Sequence, residues 1–213
     1  MKLRSGAELR IAGPTGAHLA VVCVNGGQAA EVAGTWSASL EWLVTRLAPR
    51  FRELAFAEVR YRIKSLNRLD WCAEDALAAI NSVGAERTLL LGFSMGGAIA
   101  ALVANEPSVE TVVALAPWLP NRVSLDALRG RRLVVLHGSL DRPLPGIPGV
   151  LPASSRRAFE RARALGAEGT YTIIPGALHG VAIRAHWGRA IPLPRAGAWL
   201  RLVADELQRF QAG

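Results

Sequence analysis

The chain has 213 residues, a formal net charge of +8 at pH 7 and an apolar content of 51%. This length and composition predict a folded protein with a filled core and exclude a largely disordered one. The basic residues are scattered and form no stripe interleaved with aromatic residues, so we expect no nucleic-acid partner, and an anionic substrate or carrier is the milder interpretation of the charge.

The sequence carries no signal for secretion or membrane insertion. Residues 1–8 lack the apolar stretch of a signal peptide, and an apolar run such as 19–24 is too short to cross a bilayer. Two cysteines, Cys23 and Cys72, do not make a disulfide framework, and we interpret Cys23 as a buried core thiol. We therefore expect a cytoplasmic protein without a membrane partner.

Apolar runs of strand length alternate with helical patterns along the whole chain. Strands are predicted at 8–12, 18–24, 54–62, 88–93, 110–116, 132–137 and 169–174. A first helix is indicated by an apolar stripe made of Leu40, Leu43, Val44 and Leu47. A second helix is predicted to begin with Asp70 as its N-cap.

Two further helices complete the pattern. One is predicted to follow Ser154 and Ser155 and to end at Gly166, and the last carries an apolar side made of Trp199, Val203, Leu207 and Phe210. Nearly all-apolar strands that alternate with helices predict a mostly parallel sheet covered on both faces. We expect residues 1–213 to form a single α/β domain, with 143–149 as a stiff loop inside it.

The strongest chemical signal is the segment Gly92-Phe93-Ser94-Met95-Gly96, which follows a predicted buried strand. Glycines two residues before and after a serine permit a turn too tight for larger side chains, and such a turn exposes the serine hydroxyl. The small apolar residues that follow are typical of a helix packed closely on a sheet. Ser94 is therefore the predicted nucleophile, at the carboxyl end of a strand, where ligands bind in such sheets.

A serine nucleophile needs a base, and the chain has four histidines. His179 lies in a glycine-containing loop after the last predicted strand and is the favoured base, with His186 in reserve. His18 is interpreted as structural. His137 is interpreted as a packing residue or as one that supports the acid.

The base in turn needs a carboxylate that fixes its tautomer. Asp141 follows the predicted strand 132–137 and is the favoured acid, with Asp126 as the alternative. The chain order is then Ser94, Asp141, His179, which is the order nucleophile, acid, base expected of one hydrolase fold.

With these motifs in this order, the chain resembles the α/β-hydrolase superfamily, and most closely its compact members without a cap, such as dienelactone-hydrolase-like proteins and small carboxylesterases. Gly92–Gly97 resembles the nucleophile elbow, His137–Asp141 the acid loop and Leu178–Gly180 the histidine loop. Dienelactone hydrolase itself has cysteine at the position of Ser94. The resemblance covers residues 8–211 and implies a single-domain fold with a mostly parallel sheet.

An oxyanion hole needs two N–H donors. The resemblance implies that the backbone of Met95 supplies one and that the loop after the strand 18–24 supplies the other. That loop begins Asn25-Gly26-Gly27-Gln28 where the family usually has His-Gly, and an asparagine can brace it by side-chain hydrogen bonds. Gly27 is the chosen donor, with Gln28 close behind.

Tryptophans flank the predicted site and are candidates for a substrate pocket. Trp118 follows the strand 110–116, Trp36 follows the oxyanion loop and Trp187 follows the histidine loop. Only residues 117–131 separate two predicted strands at the place where many relatives carry a lid, so we expect no substantial lid. The histidines and cysteines lack the spacing of a metal site, and no motif for a cofactor is present.

We therefore predict a cofactor-free serine hydrolase that cleaves a small-molecule ester, thioester or lactone through an acyl-enzyme on Ser94. Two alternatives remain open. An acyltransferase would use the same residues with a different acceptor, and a hydrolase-fold protein could serve in binding without catalysis.

Overall fold

The structure is a computed structural model that describes residues 1–143 and 149–213. The strands are β1 (Glu8–Ala12), β2 (Leu19–Val24), β3 (Val32–Ala33), β4 (Leu54–Arg60), β5 (Ile63–Lys64), β6 (Arg87–Phe93), β7 (Val109–Leu115), β8 (Arg132–Gly138), β9 (Glu168–Ile174), β10 (Ala182–Arg184) and β11 (Ala190–Pro192). The helices are α1 (Ala38–Leu47), α2 (Leu69–Val83), α3 (Met95–Leu102), α4 (Pro152–Ala164) and α5 (Ala196–Ala212).

Seven of the strands form one sheet in the order β1-β4-β2-β6-β7-β8-β9. β1 pairs with β4 in the antiparallel sense, and every other pair in this sheet is parallel. Two short antiparallel pairs, β3 with β5 and β10 with β11, lie outside it. The prediction of a mostly parallel sheet with helices is confirmed, and β6 lies at the centre of that sheet.

The two faces of the sheet bury different helices. Alternate residues of β6 point to opposite sides, so Leu90 packs in one apolar cluster with α2, α3 and α4. Leu89 and Leu91 pack in another cluster with α1 and α5. Both faces are therefore covered, which explains why the central strands are apolar along their whole length.

Two helix starts differ from the sequence prediction. α2 begins at Leu69 with Arg68 at the cap position, and Asp70 lies inside the first turn instead of capping it. A carboxylate there still faces the partial positive charge of the helix terminus. α4 begins at Pro152, before the two serines, because proline fits the first helical position with its fixed φ and missing N–H.

The connection between β7 and β8 holds one turn of 3-10 helix, Asp126–Leu128, and its buried apolar residues pack into the cluster with α3. The loop predicted at 143–149 falls mainly on residues 144–148, which lie outside the described residues. In the part of the chain that is described, no helix combines the length and the apolarity needed to cross a bilayer.

Candidate active site

Ser94 lies at the junction of β6 and α3 with a φ of 54° and a ψ of −116°. The two flanking glycines are required by close contacts: a Cβ on Gly96 would lie 2.0 Å from the carbonyl oxygen of Val24, and one on Gly92 would lie 2.4 Å from that of Gly96. The Ser94 amide donates to the carbonyl of Leu115 at 2.9 Å, which ties the turn to β7. The turn therefore holds a non-glycine residue in a strained conformation.

His179 joins Ser94 to Asp141. Its Nε2 lies 3.0 Å from Ser94 Oγ, and its Nδ1 lies 2.7 Å from Asp141 Oδ2. Because an ionised carboxylate can only accept, the second contact assigns a proton to Nδ1 and leaves Nε2 free to accept from the serine hydroxyl. The structure thus brings together the three residues that the sequence singles out as nucleophile, base and acid.

Asp141 is almost fully buried and has three polar contacts. Besides His179, Nε2 of His137 lies 2.9 Å from its Oδ2, and the amide of Val150 donates to its Oδ1 at 3.0 Å. Burial raises the pKa of the Asp141 carboxyl, but the hydrogen bonds from His137 and His179 together bring that pKa below its ordinary value. The carboxylate is therefore ionised and fixed in orientation.

A second serine–histidine pair also ends at Asp141. Ser155 Oγ lies 2.7 Å from Nδ1 of His137 and 3.0 Å from the Tyr171 hydroxyl, and it donates to the Pro152 carbonyl at 3.0 Å. Ser155 and His137 are fully buried. A substrate cannot reach a hydroxyl enclosed in this way. Ser155 instead holds His137 in its position against Asp141.

The loop after β2 approaches the serine turn closely. A Cβ on Gly27 would lie 2.2 Å from Sδ of Met95, so a larger residue there would require the buried Met95 side chain to move. Asn25 braces the loop, because its Nδ2 donates to the Thr35 carbonyl at 2.7 Å and its Oδ1 accepts from the Gly26 amide at 2.7 Å. Within the described residues, the amides of Gly27 and Met95 donate to no protein acceptor.

A cavity of about 220 Å³ lies beside Ser94 and His179. It is lined by the loop after β2, the start of α1 and the end of β5, with the residues Asn25, Gly26, Gly27, Thr35, Trp36, Ser37, Ala38, Ser39, Lys64, Phe93 and Ala182. Arg10 stacks on the Trp36 ring at 4.5 Å. Ser94 and His179 thus face a small cavity whose walls are polar and apolar in equal measure.

A second cavity of about 420 Å³ also borders His179, together with Phe93 and Asp141. Its remaining walls are mainly aliphatic side chains, Leu140, Leu178, Ile183 and Leu193, with Arg142 and Gly180. His179 therefore borders a small cavity with mixed polar and apolar walls and a larger cavity that is mainly apolar.

Trp118 does not reach the cavity beside Ser94. Its amide donates to the Ser94 carbonyl at 2.9 Å, while its side chain packs against the cluster with α3 and under the guanidinium of Arg122. The backbone of Trp118 therefore lies next to Ser94, whereas its side chain is not part of the cavity lining. Trp187 is exposed and packs edge-on against His186, at the turn between β10 and β11.

The other residues considered as acid or base lie apart from Ser94. Asp126 accepts a hydrogen bond from Ser124 at 2.7 Å in the connection between β7 and β8. His18 contacts Glu86 at 2.9 Å, and both side chains are largely exposed.

Cys23 is fully buried, and burial raises the pKa of its thiol well above the ordinary value. Among residues 1–143 and 149–213, no cluster of side chains could hold a metal ion.

Sequence reasoning missed Lys64, Ser155 and Tyr171 as parts of the site. Each comes from a different element, β5, α4 or β9, and none stands in a recognisable motif. The order of strands and helices along the chain predicts the edge of the sheet on which the site lies. That order contains no signal for the side chains of Lys64, Ser155 and Tyr171.

No protein-family model matches the chain, and no curated protein matches it in sequence. Solved structures do match it. Est1E from Butyrivibrio proteoclasticus with bound ferulic acid is 10% identical with a TM-score of 0.69, over 97% of this chain and 96% of its own. A monoacylglycerol lipase from Paleococcus ferrophilus is 14% identical with a TM-score of 0.68, over 96% of this chain and 99% of its own. A carboxylesterase from Bacillus cereus is 14% identical with a TM-score of 0.67, over 97% and 96%. The chain has the fold of the α/β-hydrolases.

Proposed function

We propose that the protein is a serine hydrolase that cleaves a carboxylic ester, thioester or lactone, with Ser94, His179 and Asp141 as its catalytic residues. The observation that carries the proposal is the position of His179, whose two ring nitrogens contact the serine hydroxyl and a buried carboxylate beside a cavity. The fold shared with an esterase, a lipase and a carboxylesterase agrees with it.

In the acylation step, Ser94 Oγ attacks the substrate carbonyl carbon while His179 Nε2 takes the hydroxyl proton. The positive charge that forms on the imidazole is stabilised by ionised Asp141. The negative charge on the carbonyl oxygen is stabilised by the amides of Met95 and Gly27, which donate to no protein acceptor in the described structure. The carbon–oxygen or carbon–sulfur bond to the leaving group then breaks, and that group takes the proton from His179.

In the deacylation step, water attacks the acyl group on Ser94. His179 removes a proton from this water and returns it to Ser94 Oγ when the acid product leaves. No redox change occurs, and Ser94, His179 and the attacking water account for every proton transfer. An alcohol in place of water would make the same residues an acyltransferase.

The two cavities suggest which part of the substrate binds in each of them. The acyl part fits the smaller cavity, because that cavity borders Ser94 and the loop that carries Gly27. The leaving group fits the apolar cavity, because it borders His179, the residue that must protonate it. A short acyl group on a larger apolar alcohol or thiol is therefore the expected substrate class.

The proposal is tested with a fluorophosphonate probe, which reacts with activated serines, and with peptide mass spectrometry of the adduct. We expect an adduct on Ser94 that is lost in Ser94→Ala, with hydrolysis of a test ester falling about 10³-fold or more. Ser155→Ala is the matched control and keeps the adduct. An adduct on Ser155, or none on folded protein, contradicts the proposal, and the second result favours a binding protein. Product analysis with added alcohol separates hydrolysis from acyl transfer.

A further inference from the structure

Lys64 is a cation in the cavity beside the nucleophile, in a chain that hardly uses lysine. Of 25 basic residues, only Lys2 and Lys64 are lysines. Lys2 is exposed near the start of the chain, whereas Lys64 lines the cavity that contains Ser94 and His179. The ammonium group is a compact point charge on a flexible stem, unlike the planar guanidinium used elsewhere in the chain.

The short pair of strands β3 and β5 places Lys64 there. Lys64 pairs with Val32, and its Nζ donates to Thr35 Oγ1 at 2.8 Å. The carbonyl of Thr35 in turn accepts from Asn25, which braces the loop with the proposed oxyanion donor. Thr35 thus contacts both Lys64, through its hydroxyl, and the loop, through its carbonyl.

Among the described residues, no carboxylate forms an ion pair with Lys64. Burial lowers the pKa of its ammonium group, and no counter-ion in this part of the chain offsets this effect. The neighbouring cations differ in this respect. Arg10 pairs with Glu41 and Glu58, and Arg60 pairs with Glu8. A half-buried charge without a counter-ion is unfavourable, and an anionic group in the cavity would offset that cost.

We propose that Lys64, with the hydroxyl of Thr35, binds a second, ionised carboxylate on the acyl part of the substrate, so that the substrate class is the monoesters or monothioesters of short dicarboxylic acids. The inference rests on the proposed function, because that function places the acyl part in this cavity. Lys64 and Ser94 line the same cavity of about 220 Å³, so a short chain is enough to connect the reacting carbonyl to a carboxylate at Lys64.

Binding is tested without turnover by NMR of protein labelled with 13C at the lysine Cε, which gives one signal for each of the two lysines. Adipate is the probe and its neutral diamide is the control ligand. We expect the Lys64 signal to titrate below the ordinary lysine pKa, and adipate to shift the Lys64 signal and raise that pKa. Lys64→Arg keeps adipate binding, and Lys64→Met weakens it about 10- to 100-fold, as for the loss of a charge-assisted hydrogen bond. Lys2→Met does not change it.

Adipate that shifts neither lysine signal, or that binds equally well to Lys64→Met, overturns the inference, whether or not the protein hydrolyses esters. Turnover of phenyl hydrogen adipate and of neutral phenyl methyl adipate gives the second readout. Lys64→Met is expected to lower kcat/KM about 10- to 100-fold for the acid ester only, with rescue by Lys64→Arg. An equal loss for both esters also overturns it. Failure of the proposed function is recognised separately, by the absence of a fluorophosphonate adduct on Ser94.

Discussion

Ser94 has a backbone conformation that glycine adopts more easily than any residue with a side chain. We predict that Ser94→Gly is more stable than Ser94→Ala, although both variants lack the hydroxyl and both are inactive. Alanine is the matched comparison because it keeps Cβ and removes only Oγ. The difference between the two variants therefore isolates the cost of a Cβ at a φ of 54°.

The magnitude follows from two opposing effects. A residue held in a sparsely populated backbone region costs about 1–3 kcal/mol, which glycine avoids. Glycine loses about 0.4–1 kcal/mol through the greater conformational freedom of its unfolded chain. The central values, about 2 and about 0.7 kcal/mol, leave a net difference of about 1 kcal/mol in favour of glycine. For a chain of this size, it raises the unfolding midpoint by about 2–4 °C for each kcal/mol.

Thermal and urea unfolding followed by circular dichroism measure the difference. Ala73→Gly in α2 is the control, because the same exchange at an ordinary helical backbone is expected to lower the free energy of unfolding by about 0.5–1 kcal/mol. If Ser94→Gly is no more stable than Ser94→Ala while the control behaves as expected, the turn is not strained and the reasoning is refuted.

Three further predictions concern the residues around the nucleophile. Asp141→Asn should fold but lose about 10³- to 10⁴-fold in kcat. Because the folded pKa of Asp141 is lowered, the wild type should be more stable than this variant at neutral pH, and this difference should disappear as pH falls below about 4 towards that pKa. Urea unfolding across pH measures the difference in the free energy of unfolding. Gly27→Ala places a Cβ 2.2 Å from Met95 Sδ and should lower kcat/KM about 10²-fold. Gly197→Ala is the control, because a Cβ there meets no atom within 4 Å, and its kcat/KM should not change. Equal activity of both variants would show that the loop tolerates the added side chain. Ser155→Ala breaks a buried hydrogen bond and should lower the free energy of unfolding by about 1–3 kcal/mol, and unchanged stability would remove the support role given to this serine.

The central sheet could be predicted because its signals are local. Each strand of the large sheet is a continuous apolar run or an alternating one, and the observed strands lie within two residues of the predicted ends. The order of elements then fixed which edge of the sheet holds Ser94, Asp141 and His179, since the carboxyl ends of parallel strands meet there.

The support for these residues could not be predicted in the same way. Lys64 enters the cavity through a two-residue strand that pairs with another two-residue strand, and neither is long enough to show a period. His137, Ser155 and Tyr171 meet only because β8, α4 and β9 pack side by side. The direction of the Trp118 side chain depends on the packing of the connection after β7, which no local pattern encodes.

The placement of α1 and α5 on the same face of the sheet bears on how the chain folds during synthesis. α5 leaves the ribosome after every strand of the sheet that it covers, and until it arrives the face that it shares with α1 exposes part of an apolar cluster. Nascent chains with such a face are prone to aggregate, and parallel sheets are slow to form because their strands are distant in sequence. We expect chains that stop before Ala196 to require a chaperone, although every residue of the site has by then been made.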